Sequence, residues 1–99
     1  MNWQLDISSA AEDEFNEAVD WFEGTGIGRG VEFARVVNDA LNRVLKNPYM
    51  HQEVFGKVRR RVLPKKYLYV IYYIPEGQAV RIISILHTSR DPTIWQSRA

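Results

Sequence analysis

A chain of 99 residues, 45% apolar and 25% charged, has the composition of one globular domain, large enough to bury roughly two-thirds of its unfolded surface. It has no cysteine, which excludes disulfides and thiolate metal sites, and no apolar run near the roughly 20 residues that span a bilayer. The formal charge of +1 hides an asymmetry: residues 1–50 hold four Lys/Arg against nine Asp/Glu, residues 51–99 nine against three. Such a dipolar molecule offers one face to anions, unless its halves only attract each other across the fold. The N-terminus has no basic segment leading into an apolar core, so no secretory signal is expected. With the lack of cysteine this points to the cytoplasm.

In chain order, Trp3, Leu5 and Ile7 alternate with Asn2, Gln4 and Asp6, the period of a half-buried strand. Ser9 and Glu12 stand at capping-box spacing before a helix expected from about Ala10 to Glu23, with Ala11, Phe15, Ala18, Val19 and Phe22 on its apolar face. The run Gly24-Thr-Gly-Ile-Gly-Arg-Gly30 superficially suggests a phosphate-cradling loop. Such loops follow a strand, whereas this one follows a helix, so it reads as a helix–helix connection. A second helix is expected from about Arg29 to Lys46, burying Phe33, Val37, Ala40, Leu41 and Val44 and ending at Asn47-Pro48.

Three strands complete the chain: Val54–Leu63 with a bulge at Gly56, Tyr67–Ile74, and Val80–Leu86 after the turn Pro75–Gln78. The order β-α-α-β-β-β, with each element reversing the last, sets the first strand opposite to the second and fourth. The expected fold is α+β: a helical hairpin on one face of a mainly antiparallel four-stranded sheet. The other face is left for polar and aromatic groups.

Six of the thirteen cations fall between Lys57 and Lys66. Arg59 and Arg61 share one face by alternation while Arg60 points the other way, which suggests a phosphodiester clamp. A charged edge strand that resists aggregation would need fewer cations. His87 ends the last strand. It suits general acid–base work, or it orients the next loop through Asp91 or a backbone carbonyl. His51 has no partner at metal-ligand spacing, and neither metal nor cofactor is expected. Tyr67, Tyr69 and Tyr73 share a face opposite Tyr72, placed either to stack nucleobases or to pack under a helix. Trp95 reads first as an anchor for the tail, Arg90-Asp91-Pro92 as a turn whose Asp pairs with a basic residue, and Arg98 as solvated.

Asn47-Pro48, Arg60-Arg61 leading into Tyr67-Leu-Tyr-Val-Ile-Tyr-Tyr73, and Ile82-Ile-Ser-Ile-Leu-His-Thr-Ser-Arg-Asp-Pro92 with Trp95 and Arg98 resemble the RelE/ParE toxin superfamily over essentially the whole chain. The His-x-x-Arg-Asp-Pro ending is similar to that of ParE-like members. Leu68 departs from the Phe-Pro-Tyr common in related sequences. The resemblance implies either a ParE-like toxin that binds DNA gyrase without catalysis, or a RelE-like, metal-independent nuclease acting on mRNA at the ribosome. Thr88 stands where such nucleases place a cation, and Ile94 or Trp95 near their terminal Tyr, which favours the ParE-like branch.

The leading expectation is therefore the toxin of a plasmid-stabilisation type II toxin–antitoxin system. It would be neutralised by a cognate antitoxin whose acidic or amphipathic tail covers the hairpin groove and the basic sheet. It would assemble either as a homodimer or as a hetero-oligomer with that antitoxin, away from membranes. The alternatives are the nuclease and an inactive antitoxin-binding module. Candidate target or nucleic-acid contacts are Lys57, Arg59, Arg61, Lys65, Lys66, Arg90 and Trp95; for a nuclease, catalysis would fall to His87, Arg61 and Arg90, with Arg59 also near the phosphate. All of this requires the Arg-rich strand and His87 to lie side by side on neighbouring strands, clear of the helices.

Overall fold

The computed structural model describes residues 3–99. Its elements are β1 (Gln4–Ile7), α1 (Ser9–Thr25), α2 (Arg29–Lys46), β2 (Glu53–Phe55), β3 (Val58–Val62), β4 (Tyr69–Glu76), β5 (Ala79–His87) and α3 (Thr93–Gln96). Leu5 is half-buried in β1 as the alternation requires, whereas Ile7 at the end of the strand is exposed; Asn2 lies outside the described residues. Among the described residues no helix is long and apolar enough to cross a membrane.

Helix α1 starts one residue earlier than expected. Ser8, in extended backbone, accepts from the Ala11 N–H at 3.1 Å, so Ser9 is the first helical residue and Glu12 falls outside the capping-box position. The glycine-rich connection supplies an anion to a helix N-terminus, but the anion is internal. The Glu23 carboxylate accepts from the N–H groups of Gly28 and Gly30 at 3.1 Å, capping α2 from the preceding helix. Gly30 is required for a second reason. A Cβ there would stand 2.7 Å from the Val19 carbonyl oxygen, so a hydrogen is all the crossing of α1 and α2 accommodates.

The sheet has five strands in the order β1-β5-β4-β3-β2, one more than expected, for a local reason. Gly56 adopts φ +56° and turns the chain back, so the single strand expected over 54–63 becomes the β2–β3 hairpin with Phe55 opposite Val58. That extra reversal also changes the direction of everything after it. β1 therefore runs parallel to β5, not opposite to it, while the remaining pairs are antiparallel.

The helical hairpin covers one face over Phe33, Val37, Val44, Ile71, Tyr73, Ile82 and Ile85. The opposite face is not left to polar groups. α3 closes it: Trp95 stacks on Tyr72 at 4.1 Å, above a small core of Val58, Ile74, Ile83 and Leu86. Arg98, expected in solvent, fastens this closure. It donates to both Glu14 carboxylate oxygens and to the Ile83 carbonyl at 3.0 Å. The same carboxylate accepts from the Ile85 N–H and the Ser84 hydroxyl at 3.0 Å, beyond the point where β1 ends.

The Ile83 carbonyl is available because of a bulge. Tyr72 pairs with Ser84 and Tyr73 with Ile82, leaving Ile83 as the extra residue. The bulge resets side-chain alternation, so Ile82 and Ile85, three apart, both face the helices. His87 consequently falls on the helix side, opposite Tyr69. Strict alternation from Ile82 would have sent it to the other face.

Candidate functional site

The cations of residues 57–66 do not form one surface. Arg59 and Arg61 do share a face, paired with Tyr73 and Ile71, but it is the face under the helices. The Arg59 side chain is 17% exposed and 3.8 Å from Glu53; its guanidinium donates to the carbonyls of Tyr49 at 3.1 Å and His51 at 2.6 Å. Arg61 stands near His51, whose pKa is lowered by burial and then by the Arg61 charge. Tyr73, fully buried, donates its hydroxyl to the Pro48 carbonyl at 2.8 Å. Burial pushes its pKa up to about 12, against the opposing pull of Arg59 and Arg61. Arg59 and Tyr73 thus tie down the connection between α2 and β2, while Nε of Arg59 and Arg61 and Nε2 of His51 are buried without a partner.

β4 separates β3 from β5, so the expected adjacency of the Arg-rich strand and His87 does not occur. Arg61 pairs with Ile71 and His87 with Tyr69, which sets their Cα atoms roughly 12 Å apart, by two strand spacings and two residue rises. Lys57, in the β2–β3 turn, lines a recess of about 210 Å³ beside Tyr49 and Arg59, toward the opposite end of β4 from His87. Trp95 is buried under α3, which bears out its reading as an anchor and leaves it no free face for a target.

Other groups do converge, at the rim where β4 begins and β5 ends. The segment from Leu63 to Tyr69 closes into a tight loop through Tyr67 N–H to Pro64 and Leu63 N–H to Tyr69, both at 3.0 Å. This holds the exposed Lys65 and Lys66 outward. The Thr88 N–H donates to the Leu68 carbonyl at 2.8 Å, stitching the two strand ends together. Leu68, the departure noted in sequence, has φ +56°, the one positive φ outside glycine among the described residues. A left-handed conformation costs a leucine roughly 1–2 kcal/mol.

His87 is oriented by neither Asp91 nor a carbonyl. The Ser89 N–H donates to its Nδ1 at 3.1 Å, and the Ser89 hydroxyl lies 2.8 Å from the same nitrogen. Nδ1 is thus an acceptor, and the neutral ring carries its proton on Nε2. Tyr69 packs edge-on to the imidazole at 5.3 Å, its pKa raised by burial. Among the described residues Asp91 pairs with no cation. It accepts from the Thr93 N–H at 3.0 Å, which lowers its pKa and starts α3.

Between this rim and α1 runs a groove of about 480 Å³. His87, Ser89, Tyr69 and Lys66 form one side, with Arg29 and Trp21 across from them. A recess of about 200 Å³ continues past His87 to Arg90, Glu14 and Glu17. Trp21, 62% exposed, was missed in sequence, although a signal existed: it lies off the apolar stripe Ala11-Phe15-Ala18-Phe22, where a large aromatic has no core to enter. Arg29 reaches the groove only because the glycine connection returns α2 beside α1.

The profile of one family, described as "ParE toxin of type II toxin-antitoxin system, parDE", matches residues 5–92. Among solved structures, a chain of "Chromosomal ParDE TA system from P. aeruginosa" superposes with a TM-score of 0.63 over 86% of this chain and 95% of its own length, at 14% identity. That likeness concerns the fold alone. No curated protein matches the sequence.

Proposed function

Since the chain belongs to the ParE toxin family of type II toxin–antitoxin systems, we propose that it arrests growth by binding DNA gyrase and breaks no bond itself. A cognate antitoxin neutralises it in the cytoplasm, its acidic or amphipathic tail lying over the helical hairpin and the cationic rim. The target contacts are Lys65, Lys66, His87 and Arg90 at the rim, with Lys57 at the far turn. Arg59, Arg61 and Trp95 serve the fold that presents them.

The observation that supports this reading over mRNA cleavage is the separation of Arg59 and Arg61 from His87 and Arg90, which share a recess. A nuclease without metal needs a base, an acid and an anion clamp within hydrogen-bond reach of one phosphate. Here Arg61 and His87 lie on strands either side of β4, and Arg59 is committed to two backbone carbonyls.

Induction followed by two assays tests it. Inhibition of supercoiling with accumulated gyrase–DNA breaks, and intact translated mRNA by primer extension, is the expected pair. Cleavage at defined codons that disappears in His87→Ala would replace this reading with the nuclease. Silence in both assays with antitoxin binding retained would leave an inactive binding module.

A further inference from the structure

The groove between α1 and the rim combines aromatic walls with donors and lacks carboxylates. Trp21 offers an exposed face on one side. Across from it stands Tyr69, wedged between His87 and Phe22. Lys66 and Arg29 supply the positive charge, and His87 and Ser89 add polar groups at the mouth. Asp and Glu are absent from its lining, although the first half of the chain is acidic. Carboxylates appear only in the recesses that continue it at either end, Glu14 and Glu17 at one and Glu32 at the other. The open length is therefore short, and its volume of about 480 Å³ is that of a small-molecule site.

We infer that this groove holds one or two nucleotides of single-stranded DNA, with a base on Trp21 and its phosphate between Lys66 and Arg29. Aromatic faces accept any base by stacking, and cationic side chains track the backbone. Charge selects a polyanion over a peptide: Lys66 and Arg29 line the groove and no carboxylate does. DNA rather than RNA follows from the proposed target, because the hydroxyls of Thr25, Tyr67, Tyr69 and Ser89 could serve either backbone. Ser89 fits the same role: its N–H fixes Nδ1 of His87 as an acceptor, so the ring keeps a proton on Nε2 to donate. The site deepens the gyrase reading, since that enzyme works on DNA, but it is measured on the toxin alone.

The test is fluorescence anisotropy of a labelled eight-nucleotide deoxyuridine strand with the full chain at low and moderate salt. Saturable binding is expected, weakened between about 5- and 150-fold by Trp21→Ala, the range for one lost base stack, and largely restored in Trp21→Phe. The double substitution Lys66→Ala/Arg29→Ala is expected to flatten the dependence of log affinity on log salt by about 1.4, two phosphate contacts at roughly 0.7 each. The ribonucleotide version is expected to bind no more tightly than the DNA strand. Trp21 is exposed, so a thermal melt of Trp21→Ala matching the parent confirms that the fold is intact. No saturable binding, unchanged affinity in Trp21→Ala, an unchanged salt slope, tighter binding of RNA, or equal competition by a poly-glutamate peptide would each overturn the inference. Gyrase inhibition without oligonucleotide binding would remove this site and leave the proposed target standing. Binding without inhibition would do the reverse.

Discussion

Two sets of side chains along β4 are alike in kind and used in opposite ways. Beside the middle of the strand are Tyr73, His51, Arg59 and Arg61; around its first residue are Tyr69, His87, Arg90 and Lys66. In the first set the hydrogen bonds close inward: Tyr73 donates to Pro48, and Arg59 to Tyr49 and His51. In the second, one bond from Ser89 sets the imidazole, and Arg90 has no carboxylate within ion-pair distance among the described residues. Residue type alone therefore does not mark a functional site. Accessibility is the better guide: Nε of Arg59 and Arg61 and Nε2 of His51 also lack partners, but they are buried, whereas the donors of the second set line a groove open to a ligand.

The comparison breaks if the inward set proves dispensable. Arg59→Ala strips the charged donor from two carbonyls and is expected to lower stability by about 3 kcal/mol, read as a shift of the urea midpoint at constant slope. Next in size is alkaline pH. Burial raises the folded pKa of Tyr73 to about 12, above its ordinary value of roughly 10. The stabilisation is thus fully present below pH 10 and lost as pH rises through 12, roughly 2–3 kcal/mol in all. Burial shifts Tyr69 and Tyr72 upward too. Tyr73→Phe is expected to flatten this alkaline limb while costing about 1 kcal/mol at neutral pH, for the hydrogen bond to Pro48.

At the outward end the effects on stability are smaller, and one has the opposite sign. Leu68→Gly releases the left-handed strain and is expected to raise stability by about 0.5–1 kcal/mol, after the glycine's own entropy is offset. Melting temperature measures it, and a decrease would mean the Leu68 side chain packs more than its exposure indicates. His87→Ala and Arg90→Ala are expected to change stability by less than about 0.5 kcal/mol, with growth inhibition on induction falling nonetheless. A large loss of stability in either would place the rim with the scaffold.

Much of this division was legible in the residues, but not the reason for it. The helical hairpin follows from apolar spacing, but the tight crossing at Gly30 shows only in the structure. The Tyr stripe left stacking and packing open, and its place under the hairpin settles the matter. The fifth strand was hidden because Gly56 fits a bulge and a turn equally well, and only pairing with distant β4 selects the turn. That single ambiguity also reversed the direction of β1 relative to β5. The bulge at Ile83 left no local signal at all: five of the six residues Ile82–His87 are those of a continuous buried or boundary strand, and the phase shift that moves His87 to the helix side arises from register against β4. Arg98 read as solvated because its acceptors, Glu14 and Ile83, are far away in sequence. The outward site was half visible, in His87, Arg90 and the lysines. Its aromatic wall was missed because Trp21 belongs to a helix more than 60 residues upstream.

The most direct test sets rim against scaffold in a purified gyrase supercoiling assay. The parent protein is compared with Lys66→Glu/His87→Ala/Arg90→Glu after matching their unfolding midpoints. Inhibition with trapped DNA breaks for the parent, and a loss of at least about tenfold in potency for the equally stable rim variant, is the predicted result. A folded rim variant that traps gyrase as well as the parent would contradict the assignment of target recognition to the outward end of β4.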